Sequence, residues 1–225
     1  MAVLSPGLKW RRASGALVFA ALLLRALSAV AAPTPLDAYL DNLKTLRASF
    51  LQTLADPHGR EIDRATGTLI VARPGKFSWD IHPQNAGGTS SGAGQLMVCD
   101  GTNLWFLDRD LQQVTVKPVD AALSATPAML LSGTADLRQN FTITPAGTRT
   151  GLEWVLAEPK ASDADFRSAL FGFANGELRR MIVEDKLGQT ATIMFQQVAR
   201  NVAVAPADVS FTPPQGVDVI GTPHP

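Results

Sequence analysis

Cysteine is nearly absent from this chain: Cys99 is the only one in 225 residues, so no internal disulfide can form. Histidine is scarce as well. His58 precedes a glycine, His82 precedes Pro83 and His224 is in the C-terminal tail. None has a second histidine, cysteine or carboxylate at ligand spacing, so neither a metal nor another cofactor is expected. No apolar run is long enough to span a bilayer. The longest uncharged one, residues 16–24, falls well short of the roughly twenty residues required, and Arg25 follows it. There is no phosphate-binding glycine loop, which excludes nucleotide hydrolysis as an energy source within the chain.

One nucleophile pattern is present in letters only. Gly88, Thr89, Ser90, Ser91 and Gly92 spell a serine-hydrolase elbow, but that motif works on a sharp strand-to-helix turn. Here it lies in a Gly/Ser-rich loop, 86–94, leading into a strand. The acidic pairs Asp108/Asp110, Asp163/Asp165 and Glu184/Asp185 fall in turns or at strand ends, where solvated carboxylates are the default. No catalytic residue is assigned, and the chain is read as a non-enzyme.

Residues 1–31 read as a secretory signal peptide. Lys9, Arg11 and Arg12 form a basic start, an apolar stretch follows, and Ala29, Val30 and Ala31 give a small-x-small cleavage site. Export to a bacterial periplasm is expected, leaving 32–225 as a single domain. Removing the leader takes four basic side chains and no acidic one. The 20 basic and 20 acidic residues of the whole chain become 16 and 20, a net charge of −4. That balance argues against nucleic acid or an anionic membrane as the main partner. Ala32 rather than a cysteine follows the cleavage site, so no lipid anchor is expected on the mature chain.

The mature chain opens with a helix and then turns almost wholly to strands. Thr34 is placed to cap and Pro35 to start the helix. Leu36, Leu40, Leu43 and Leu46, with Tyr39 and Phe50, form one apolar stripe, and the spacing predicts a helix to Leu46 or Arg47. Strands are predicted at 49–54, 68–72, 76–81, 95–99, 103–107, 112–117, 141–144, 153–158, 167–174, 177–184 and 190–198, with a last one near 209–212. The Asp100-Gly101 and Asn175-Gly176 pairs mark hairpins. Residues 120–138 read as helical in pieces, with Thr126 as a cap, Pro127 starting a turn and Gly133 ending it. Many short strands with few helices mean an antiparallel barrel or a strongly curved sheet.

The informative stretch is 67–81. Period-2 alternation puts Leu69, Val71, Arg73, Phe77, Trp79 and Ile81 on one face. Arg73 is therefore a cation on an otherwise apolar face, and a buried guanidinium must find acceptors. Alternation leaves two readings open: the side chain reaches water at a rim, or it bonds backbone carbonyls of a helix lying across the sheet.

Arg73-Pro74-x-x-Phe77-x-Trp79 resembles the signature of the outer-membrane lipoprotein carrier family (LolA). So do other segments in collinear order. They are Ala48-Ser49-Phe50-x-Gln52, Asp100-Gly101-x-x-Leu104-Trp105, Gln113-Val114 and Thr126-Pro127-x-x-Leu130-Leu131, then Leu156-x-x-Pro159-Lys160, Asp185 with Gly188-Gln189, and Phe211-x-Pro213-Pro214-x-Gly216-Val217. The resemblance implies a mainly β fold: an incomplete antiparallel β-barrel of about eleven strands around a hydrophobic cavity, covered by a lid of short α-helices. It implies that Leu69, Val71, Phe77, Trp79, Ile81 and Trp105 contact acyl chains. It also implies that Leu36, Leu40, Leu43, Pro127, Met129, Leu130 and Leu131 belong to the lid, with Arg73 as its latch. The implied function is a monomeric periplasmic chaperone that takes lipoproteins from an inner-membrane ABC-type release complex to an outer-membrane receptor. The alternatives are that receptor itself, on the same fold, and a periplasmic serine hydrolase. The 86–94 loop looks longer than is usual for the family.

Overall fold

The structure, a computed structural model, describes residues 32–225 except 86, 123–125 and 134–136. The leader reading for 1–31 falls outside the described residues. The order of elements explains how the sheet is built. Helix α1 (Pro35–Asp41) leads into strands β1 (Thr45–Ala55), β2 (Glu61–Ala72) and β3 (Lys76–Gln84). Then come β4 (Gln95–Asp100), β5 (Asn103–Asp108) and β6 (Gln113–Pro118), followed by helices α2 (Val119–Ala122), α3 (Ala128–Ser132) and α4 (Leu137–Asn140). Strands β7 (Phe141–Arg149), β8 (Leu152–Pro159), β9 (Phe166–Ala174), β10 (Glu177–Asp185) and β11 (Thr190–Arg200) complete the main run, and β12 (Asp218–Ile220) ends the chain.

Among the described residues the strands form one open sheet in the order β12-β6-β5-β4-β3-β2-β1-β11-β10-β9-β8-β7. Each half is an up-and-down meander, and β1 joins them by pairing antiparallel with β2 on one side and β11 on the other. This double pairing corrects the predicted length of the first helix. The leucine stripe runs on to Leu46, but α1 stops at Asp41 and β1 already starts at Thr45. Leu46 pairs with Val71 and with Arg200, so its backbone is claimed from both sides and cannot stay helical. Asn201 fixes the exit: its side chain accepts from Lys44 N–H at 2.8 Å and donates to Asn42 C=O at 2.9 Å. The start of α1 matches expectation. Thr34 and Asp37 form a capping box, with Asp37 Oδ2 accepting from Thr34 N–H at 2.7 Å.

Two other expectations need correction. β2 begins at Glu61, because residues 61–67 pair with β1, with a register shift at the start, and from Arg64 also with β3, despite a weak apolar signal. Of the predicted strand near 209–212, Val209 ends a 3-10 helix (Pro206–Val209) and residues 210–212 belong to no strand; the last strand is β12, paired parallel with β6. Pro213 and Pro214 interrupt any ladder through the predicted segment.

The sheet has two unlike faces. All four helices contribute to one face, where Leu36, Leu40, Leu69, Phe77, Leu130 and Phe171 are among a single large buried cluster. On the other face a smaller cluster of Val98, Trp105, Leu107, Val114 and Val116 is covered by Phe211 and Val217 of the C-terminal segment.

Candidate functional site

The β2–β3 turn carries the main joint between sheet and helices. Leu69 pairs with Trp79 and Val71 with Phe77, so all four side chains project to the helix-covered face, as alternation requires. Leu69, Val71 and Phe77 are fully buried, Trp79 is buried, and Ile81 is partly exposed and packs against the same cluster. Arg73 follows on the turn. Its Nη1 donates to Leu40 C=O at the C-terminal end of α1, and more weakly, at 3.4 Å, to Leu43 C=O in the link that follows. Leu40 C=O also accepts from Leu43 N–H at 3.2 Å, and the negative end of the helix dipole at this terminus suits a cation. Burial lowers the guanidinium's pKa, Asp41 acts against this, and an arginine remains charged.

The same turn holds α3. Gly75 N–H donates to Ser132 C=O at 2.8 Å, and Arg73 N–H donates to Lys44 C=O at 2.8 Å. Gly133 ends α3 in the left-handed region at φ 67°, and a Cβ there would collide with the Arg73 guanidinium. Two residues of one turn, Arg73 and Gly75, thus bond α1 and α3. Beneath it, Cys99 Sγ donates to Gly75 C=O at 2.9 Å, and burial pushes the thiol pKa up, which leaves it unreactive.

Of the residues expected to form a lid, Leu36 and Leu40 are buried in α1, which packs beside β8, and Leu43 is buried in the link after the helix. Met129, Leu130 and Leu131 of α3 are buried against β2 and β3, with Pro127 capping the helix. The Thr126 hydroxyl accepts from Ala128 N–H at 3.4 Å, a weak contact. Further ties hold α1: Asp37 pairs with Arg138 of α4 at 2.7 Å, and the Arg200 guanidinium lies 5.1 Å from the centre of the Tyr39 ring.

Of the residues that the resemblance implies as acyl contacts, Trp105 lies on the opposite face from Leu69, Val71, Phe77 and Trp79. It pairs with Val98 and stacks on Phe211 at 5.4 Å, while its Nε1 donates to Asp100 Oδ2 at 2.7 Å. Both faces of β5 are apolar, so polarity could not reveal which one points to the helices. Leu104 and Phe106 point there instead. With Met97, Thr115, Lys117 and Asp165 they line a hollow of about 280 Å³, just under the lower limit of about 300 Å³ typical of ligand sites. Ser90 lies in the loop that the sequence indicates: its hydroxyl donates to Gly92 C=O at 2.9 Å in an exposed segment between two strands, and a strand follows.

The family described as "Outer membrane lipoprotein carrier protein LolA" matches residues 41–212 of the chain. The chain belongs to that family. A relative from Dechloromonas aromatica, named outer-membrane lipoprotein carrier protein, is 41% identical over 88% of this chain and 92% of its own length. One of the same name from Bordetella pertussis is 37% identical over 93% of this chain and 97% of its own. Among solved structures, an uncharacterized conserved protein from Thermus thermophilus superposes with a TM-score of 0.50 at 12% identity, covering 83% of this chain and 96% of that one. That last likeness concerns the fold alone.

Proposed function

We propose that this chain is a periplasmic carrier, not a catalyst, that shields the acyl chains of lipoproteins between its sheet and its helical cover. It takes outer-membrane-directed lipoproteins from an inner-membrane ABC-type release complex and gives them to an outer-membrane receptor. The observation that carries this reading is Arg73 bonded to Leu40 C=O at the end of α1 and to Leu43 C=O just after it, above a large buried apolar cluster. The relatives' shared name supports lipoproteins as the cargo. Leu69, Val71, Phe77, Trp79 and Ile81 would contact the chains, joined by Leu104 and Phe106 in place of Trp105.

The energetics require a cover that resists opening. Burying a chain of about sixteen carbons is worth about 12 kcal/mol, at about 0.8 kcal/mol per methylene. Three such chains would exceed the practical ceiling of about 20 kcal/mol for non-covalent affinity. A carrier that retained all of this could never discharge. Breaking the Arg73 bonds and parting α1 and α3 from the sheet oppose binding and make release feasible.

The test is mass spectrometry of the protein purified gently from periplasm. Acylated lipoprotein is expected in the monomer fraction. Recovery of lipid-free protein alone, from cells actively exporting lipoproteins, overturns the reading.

A further inference from the structure

Two polar atoms are out of place in the helix-covered cluster. Trp79 Nε1 and Tyr39 Oη are both buried, in residues only 6% and 2% exposed, and neither has a hydrogen-bond partner among the described residues. Their surroundings offer none: Trp79 meets the Phe50 ring edge-on at 5.7 Å, and Tyr39 lies 5.4 Å from the Phe173 ring. Arg200, over the Tyr39 ring, is committed to Glu177 at 2.5 Å. Indole and phenol N–H and O–H groups normally find a partner when buried, and leaving one unpaired is costly. Phenylalanine would fill either position without that cost. Trp105 shows the contrast within the same chain, since its indole N–H is satisfied by Asp100.

The chemistry that suits both atoms is narrow. An indole N–H only donates, and burial together with Glu177 pushes the Tyr39 phenol pKa up, so its proton stays on. The missing ligand groups are therefore acceptors, and they must enter a region built for hydrocarbon. A carboxylate would need a cation, whereas Arg73 and Arg200 already have partners. A neutral carbonyl needs none.

We propose that Trp79, on the sheet, and Tyr39, on the cover, donate hydrogen bonds to the ester or amide carbonyl oxygens at the heads of bound acyl chains. The inference rests on the carrier reading and deepens it: the face selects acyl linkages, not hydrocarbon in general. Each donor is unpaired in the closed, empty protein and paired in the loaded one, so loading gains what folding forgoes.

The experiment compares two probes on the full mature chain by displacement of a hydrophobic fluorescent dye. One is a lipopeptide with two ester-linked palmitoyl chains on a glyceryl-cysteine. The other is its ether-linked counterpart of equal chain length. The wild type is expected to prefer the ester by about 3- to 10-fold for each hydrogen bond lost. Trp79→Phe and Tyr39→Phe should each lower that ratio, and the double variant should bring it to about one. The empty Tyr39→Phe protein should melt no lower than the wild type, because only one unpaired buried hydroxyl is removed. Equal affinity of the wild type for ester and ether overturns the inference and leaves the carrier reading standing. An unchanged ratio in both variants also overturns it, and failure of the wild type to bind either probe removes both.

Discussion

Replacing Arg73 with leucine isolates the latch, because it removes the guanidinium and leaves the face apolar. The side chain makes one close hydrogen bond to a carbonyl at the end of α1 and one long one to a carbonyl just after it. Charged hydrogen bonds contribute about 1.5–3 kcal/mol each, and half-exposure together with the length of the second holds the pair to about 2 kcal/mol. If cargo binds only after the cover parts, destabilising the closed form by that amount raises the competent fraction about 30-fold, and apparent affinity rises with it. The variant should load readily and discharge slowly. A fluorescent lipopeptide gives the dissociation constant, transfer to acceptor vesicles gives the release rate, and amide exchange across 38–42 reports cover opening. Wild-type values for all three in a folded variant would refute the latch.

Gly133→Ala should reach the same state from the other helix. The left-handed backbone and the collision with Arg73 cost about 1–2 kcal/mol, seen as a Tm drop of about 2–8 °C with tighter lipopeptide binding; an unchanged Tm would contradict the packing described. Phe77→Asp puts an unpaired carboxylate at a fully buried position and should weaken loading more than tenfold, with a destabilisation of about 3–5 kcal/mol; retained loading would exclude that face from the site. Trp105→Phe should leave lipopeptide affinity intact but lower stability at neutral pH by about 1–2 kcal/mol. Burial opposes ionisation of Asp100, but hydrogen bonds from Asn103 N–H, Trp105 Nε1–H and Thr102 N–H outweigh it and hold the carboxyl below its usual 3.8. A depressed pKa contributes stability above the unfolded value that is lost as pH falls through the folded one. The gap between variant and wild type should therefore narrow in urea titrations below pH 3.8, and a pH-independent gap would count against the bond.

Much of this arrangement was legible in the residues. Strand positions from 68 to 81 followed from alternation, because one face is apolar and the other carries Thr68, Lys76, Ser78 and Asp80. The hairpins at Asp100-Gly101 and Asn175-Gly176 followed from turn chemistry, and both glycines have positive φ. What failed did so where long-range pairing overrode local pattern. Leu46 keeps helical spacing with Leu43 yet is drawn into β1 by partners far away in the chain. Trp105 has apolar neighbours in both directions along β5, so only the tertiary cover of Phe211 and Val217 decides its side. The Tyr39–Arg200 contact had no local signal at all, because it joins the first helix to the end of β11.

The parallel pairing of β12 along β6 has a consequence for the behaviour of the protein in a crowded compartment. An open sheet ends in rows of unpaired amide and carbonyl groups that can recruit a second molecule, and natural proteins suppress this by covering such borders. Here the chain's own tail occupies that border. Asp218, Val219 and Ile220 lie beside Gln113, Val114 and Thr115, and His224 is held to Asn103 by hydrogen bonds of 2.8 and 3.0 Å. At the opposite border, a register shift between Pro145 and Thr148 breaks the regularity of β7, and proline cannot donate to a neighbour. On the proposed carrier cycle, the helices can thus part without the flanks being offered to another copy.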